Sequence, residues 1–151
     1  MKRLTGGILD PDRLYNQVRR SDCGAIASFV GTVRGRNRGR EVLHIEYSAY
    51  ETMAEEVIES IEAEIREKYP GIRVAQAHRT GRVEVGEPSV AIAVASPHRR
   101  AALRACSELI EALKARVPIW KKEYYRDGSA WIETKTEPGA ATPTTDGKES
   151  T

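Results

Sequence analysis

The sequence predicts an α+β fold: a mostly antiparallel sheet with helices packed on it. Three observations lead there. Along the chain the apolar period switches repeatedly between about two and about 3.6 residues. The resulting order, α-β-β-α-β-β-α-β-β, places strands in adjacent pairs. The chain has 151 residues, 40% of them apolar, enough to bury a core within one domain. That domain is expected over residues 1–136, with 137–151 as a flexible tail rich in Pro, Gly, Ala, Thr and Ser.

The elements follow in order. Asp10-Pro11 is an N-cap acid followed by proline at the first helical position. A short helix to about Arg20 follows, with Leu14 and Val18 on one face. Cys23 to Val33 is rich in small and β-branched residues and is expected as a strand. Arg34-Gly35-Arg36-Asn37-Arg38-Gly39-Arg40 is expected as a loop, because two glycines and an asparagine break any period. Residues 42–49 alternate, with Leu43, Ile45, Tyr47 and Ala49 as the inward set. From about Glu51 the period becomes helical, through Met53, Val57, Ile61 and Ile65, and Tyr69-Pro70-Gly71 stops it.

Ile72 to His78 is a strand, Val85-Gly86-Glu87-Pro88 a turn, and Val90–Ala95 a fully buried strand. Ser96-Pro97 opens the longest helix, with an apolar stripe of Ala102, Cys106, Leu109, Ile110, Leu113 and Val117. Pro118 ends it. Ile119 to Tyr125, the Asp127-Gly128 turn and Trp131-Ile132 form a closing hairpin.

Composition narrows the function classes. No run of 18 or more apolar residues is present, which excludes a transmembrane helix, and the first residues lack the apolar stretch of a signal peptide. A cytoplasmic protein is expected. Two cysteines, Cys23 and Cys106, are too few for a disulfide framework or a structural zinc site. The net charge of +2 conceals an asymmetry: residues 1–40 carry +6, 41–70 carry −7 and 71–136 carry +5. An anion would therefore bind to the basic stretches on either side of the acidic helix.

Four features compete as sites. The arginine loop, Arg34 to Arg40, suits phosphate oxygens, or it is a solvated hairpin loop. Ser96-Pro97-His98-Arg99-Arg100 puts cations at a helix N-terminus. That placement is electrostatically unfavourable unless an anion sits there. Lys114 ends the long helix, and Lys121 and Lys122 point to opposite faces of the next strand. One of them can face Lys114, and two close ammonium groups depress each other's proton affinity toward the range of acid–base catalysis. The plainer reading is a lysine that complements the helix dipole. Cys106 belongs to the core, and Cys23 is a minor candidate persulfide carrier. His44 and His78 lack partners at metal-ligand spacing, and no metal site is expected. A nucleic-acid-binding module without catalysis is the rival class. The basic loop lacks interleaved aromatic residues and the chain lacks a nucleic-acid-binding motif, so no nucleic-acid partner is expected.

The chain also resembles the large, catalytic subunits of molybdopterin synthase, the MoaE family. The likeness rests on Phe29-Val30-Gly31-Thr32-Val33-Arg34, Glu46-Tyr47-Ser48-Ala49-Tyr50, His78-Arg79-Thr80-Gly81 and Ala95-Ser96-Pro97-His98-Arg99. It ends on Leu113-Lys114-Ala115-Arg116-Val117-Pro118-Ile119-Trp120-Lys121-Lys122-Glu123 and covers about residues 8–135. The ordered set, above all Lys-x-x-x-Pro-x-Trp-Lys together with the His-Arg helix start, is specific.

The resemblance implies an α/β-hammerhead-type fold with a small β subdomain. It implies a homodimer that binds a small ubiquitin-like carrier at each end. The carrier's C-terminal thiocarboxylate would supply sulfur to cyclic pyranopterin monophosphate (precursor Z), making the molybdopterin dithiolene, with no permanently bound cofactor. Matched residue by residue, Lys114 and Lys121 would be catalytic. Thr32, Val33, Arg34, His98, Arg99, Lys114, Lys121, Lys122 and Glu123 would contact substrate, and Lys135 would reach the neighbouring subunit's site. Three residues depart from the family pattern. Thr32 replaces a common lysine, Ile119 replaces a common aromatic, and Lys135 stands where an arginine is expected, keeping charge without the bidentate fork.

One geometric consequence follows. His98 and Lys114 are 16 residues apart on one helix. At ~1.5 Å per residue they stand about 24 Å apart. If both serve one pocket, His98 and Arg99 must come from the second subunit, and the active site is shared across the dimer.

Overall fold

The computed structural model describes residues 2–132. The expected domain limit at residue 136, Lys135 and the expected tail lie outside the described residues. The fold is α+β, and every strand pairing but one is antiparallel.

Strands β1 (Leu4–Thr5), β2 (Ala25–Thr32), β5 (Arg73–Arg79) and β7 (Pro88–Ser96) form one sheet in the order β1-β5-β7-β2. Strand β7 is its centre, and Ala91 to Ala95 are at most 1% exposed, as an unbroken apolar run requires. Helices α2 (Glu51–Lys68) and α3 (Arg99–Arg116) contribute Ile58, Ile61 and Leu109 to the core cluster that holds Ile92 and Val94. Helix α1 (Pro11–Val18) covers the alternate residues Ala91, Ala93 and Ala95 with Leu14 and Val18. It starts where Asp10 accepts from the Asp12 amide at 3.1 Å and ends two residues short of the expected Arg20.

The second sheet contains β3 (Arg36–Asn37), β4 (Arg40–Ala49), β8 (Ile119–Tyr125) and β9 (Gly128–Ile132), in that order, with β6 (Gly81–Glu84) also on β4. It closes a smaller core of Val33, Val42, Ile45, Val83 and Tyr125.

Four expectations are corrected. The arginine stretch is not wholly loop: Asn37 pairs with Arg40 across Arg38 and Gly39, both at positive φ (54° and 77°). Two positive-φ residues make the turn that matches the twist of a tight hairpin. Leu43 faces outward, 40% exposed, because a register irregularity between Val42 and His44 shifts the alternation. On α2 the buried face runs Ala54, Ile58, Ile61, Ile65, and Met53 is 52% exposed. Uniform steps of four drift off a 3.6-residue period, whereas mixed steps of four and three stay on it. Ser96 ends β7 rather than opening α3, and the helix cap is His98.

Candidate functional site

The two sheets share no strand, and a pocket of about 80 Å3 opens between them. Tyr47 from β4, His78 and Arg79 from β5, Ser89 and Val90 from β7, Lys121 from β8 and the last turns of α3 line it. Sequence periodicity explains the placement. Tyr47 and Lys121 are direct cross-strand partners and project to the same face. Glu46 and Lys122, one residue along, form the neighbouring pair on the opposite face. On α3, Leu113 is buried while Lys114, one position on, reaches the pocket rim.

The pocket is cationic. Burial pushes the Lys121 ammonium below its ordinary proton affinity. The charge of Lys114 adds to this, that of Arg34 contributes further, and Glu123 opposes both. Two of the residues singled out from sequence, Lys114 and Arg34, therefore act on a third, Lys121. The other members of the set go elsewhere. Val33 is buried in the smaller core, and Thr32 lies exposed at the end of β2. Lys122 lies over the rings of Tyr124 and Trp131, at 5.4 and 5.3 Å. Glu123 is buried and accepts from Asn37 Nδ2 at 2.9 Å and from the Tyr125 hydroxyl at 2.6 Å. Within this chain it fixes the arginine hairpin to β8. Two other arginines of that hairpin are engaged locally: Arg36 donates to the Gly39 carbonyl, and Arg40 pairs with Asp127 at 2.9 Å.

His98 and Arg99 are exposed at the opposite end of α3 from Lys114. The chain places this helix start firmly. The Gly24 amide donates to the Pro97 carbonyl at 3.2 Å, and a Cβ on Gly24 would come within 2.9 Å of that oxygen. The His98 side chain makes no capping bond, and the first turn carries no acid. One chain therefore holds two separate cationic features, a pocket and a helix start.

Tyr47, His78, Arg79 and Ser89 carry no site role in the sequence reading. Tyr47 was recoverable from the inward alternation of β4. The position of His78 depends on a tertiary juxtaposition that no local pattern encodes. Arg79 donates to the Gly6 and Arg82 carbonyls and pairs with Glu87 at 3.3 Å, so it braces the pocket wall.

The model of the MoaE protein family matches residues 4–116. The chain is 42% identical over 134 residues to the molybdopterin synthase catalytic subunit of Bacillus subtilis, spanning 89% of this chain and 85% of that protein. It is 50% identical over 132 residues to the human molybdopterin synthase catalytic subunit, spanning 87% and 70% of the two. The crystal structure of molybdopterin synthase from Staphylococcus aureus superimposes with a TM-score of 0.83 at 38% identity, covering 86% of this chain and 95% of that one.

Proposed function

The chain belongs to the MoaE family, the catalytic subunits of molybdopterin synthase in molybdenum cofactor biosynthesis, and from that premise we propose that it works as a sulfurtransferase. Sulfur comes from the C-terminal thiocarboxylate of a small ubiquitin-like carrier, and the acceptor is cyclic pyranopterin monophosphate. Two successive transfers build the dithiolene and open the cyclic phosphate. No permanently bound cofactor takes part, and the reaction is cytoplasmic. Among the described residues no helix is long and apolar enough to cross a membrane.

The observation that supports this reading most is that Lys114 and Lys121 line one pocket, with Arg34 near enough for its charge to act on Lys121. Thiocarboxylate and phosphate repel one another, and preorganised cations offset that repulsion without reorganising during the reaction. Lys121, its proton affinity lowered by burial, holds the thiocarboxylate or the acyl group. Lys114 moves the proton at the pterin side chain or assists phosphate departure. Arg34 binds phosphate. His98 and Arg99 of a second copy complete the phosphate site, because within one chain they lie at the far end of α3. Lys122 and exposed Thr32 lie off the pocket within one chain and are assigned to the subunit boundary, and Lys135 would reach the neighbouring subunit's site.

The test is reconstitution. The full chain, a thiocarboxylated carrier and precursor Z should yield molybdopterin. Lys114→Ala should lower kcat by a hundredfold or more, roughly the contribution of a positioned acid–base group, while fold and carrier binding persist. A wild-type chain that binds the carrier but yields no product, or a Lys114→Ala variant of normal rate, would defeat the assignment.

A further inference from the structure

Behind the pocket runs a buried polar chain that the cationic residues do not explain. Glu62, on the core side of α2, is 2% exposed. Its carboxylate accepts from Arg3 Nη2 at 2.8 Å, Arg66 Nη2 at 3.1 Å and Gln76 Nε2 at 2.6 Å. A carboxylate flanked by two guanidinium groups only accepts, so the Gln76 amide is oriented with its oxygen turned away. That oxygen lies 2.7 Å from His78 Nε2. An amide oxygen cannot donate, so the proton of this bond belongs to Nε2. The neutral ring then keeps a bare lone pair on Nδ1. Among the described residues Nδ1 has no hydrogen-bond partner. His78 is 5% exposed and shares the pocket wall with Lys114 and Lys121. A buried acceptor left unpaired is costly, so a donor that reaches it from the pocket is favoured.

We propose that His78 is a positioning residue for Lys114: the Arg3–Glu62–Gln76 chain locks its ring as the Nε2–H tautomer, and the Nδ1 lone pair, unpaired in this structure, accepts from the Lys114 ammonium when that flexible side chain turns from the pocket rim onto it, aiming it into the pocket. The inference rests on the reading of this pocket as the sulfur-transfer site and names a second layer behind it. Charged groups face the ring from several elements: Glu62 on α2, Lys114 on α3 and Arg3 before β1. Arg79 and Lys121 share its pocket. Burial and the two cations outweigh Glu62 and hold the imidazole uncharged, with its pKa pushed down to about 4. An uncharged ring accepts from a lysine without repelling it.

The experiment uses the full 15N-labelled chain alone, so it is independent of turnover. Long-range 1H–15N spectra should show His78 as the Nε2–H tautomer, unchanged from about pH 8 to pH 5.5. Lys114→Gln should shift the Nδ1 resonance and raise the His78 pKa, because a neighbouring cation is lost. An Nδ1–H tautomer, a charged ring at pH 7, or a His78 signal indifferent to Lys114→Gln would each overturn the proposal. In the reconstituted reaction Gln76→Leu, with its fold checked by circular dichroism, should lower kcat roughly tenfold, as loss of a supporting hydrogen bond does, and should move a limb of the kcat–pH profile. An unchanged profile counts against the proposal. Absence of product from the wild-type chain would instead count against the reaction assignment and leave the spectra to judge His78.

Discussion

At Lys121, burial and the charges of Lys114 and Arg34 act in the same direction. The native state binds that proton less readily than the unfolded chain does. Stability should therefore rise with pH between the native pKa and the unfolded value near ~10.4. At neutral pH the ammonium is a cost to the fold. Lys121→Met should stabilise the protein by up to about 1 kcal/mol in urea titrations while sulfur transfer is lost. His78 acts with the same sign in a more acid window. Its native pKa is about 4, below the unfolded value of ~6.5. Stability is therefore complete above about pH 6.5 and falls away toward pH 4, by on the order of 3 kcal/mol. Urea midpoints at pH 7, 5.5 and 4 should show this loss, and His78→Gln should flatten it. A wild-type midpoint that stays level over this range would show that the ring does not stay neutral.

Element by element, what local pattern could show and what it could not separate cleanly. Long segments with a strong period were legible: the bodies of α1, α2 and α3 lie where apolar spacing puts them, the Asp10 cap opens α1, and β8 spans the expected Ile119–Tyr125. The short strands β1, β3 and β6 were not. Two to four residues carry no period, and their pairing is set by the neighbouring strand. Leu43 failed for a similar reason, since the irregularity that turns it outward arises from pairing with β8. At α3 the first turn carries Arg99 and Arg100 and no acid, which opposes the helix dipole, and the His98 side chain makes no capping bond. His98→Asp should stabilise the chain by about 0.5–1 kcal/mol and weaken phosphate-dependent turnover. Thermal melts and KM for precursor Z measure the two effects. Leu109, fully buried on the same helix, should cost about 2–5 kcal/mol when replaced by alanine.

For the molecule as a whole, the proposed site needs two copies of the chain. The sequence spacing of His98 and Lys114 already implied this, and α3 (Arg99–Arg116) sets them at opposite ends of one rod. The grouping of Lys114 with Lys121 was also legible in outline, because strand alternation left only Lys121 or Lys122 to face the helix end. The pocket's rear wall was not legible, because Glu62, Gln76 and His78 meet only when α2 lies across β5. Mixing Lys114→Ala with His98→Ala should restore activity that neither variant has alone. In a mixed pair one pocket receives both intact residues, so random exchange recovers roughly a quarter of the wild-type sites. No recovery after verified subunit exchange would refute sharing.

Helix α3 thereby acts as a gauge. One residue inserted near its middle would turn everything beyond it by about 100° and displace it by about 1.5 Å. If its two termini serve different pockets as proposed, a single-codon insertion or deletion should disarm both halves of the pair at once. Point substitutions along its outer face should pass almost unnoticed.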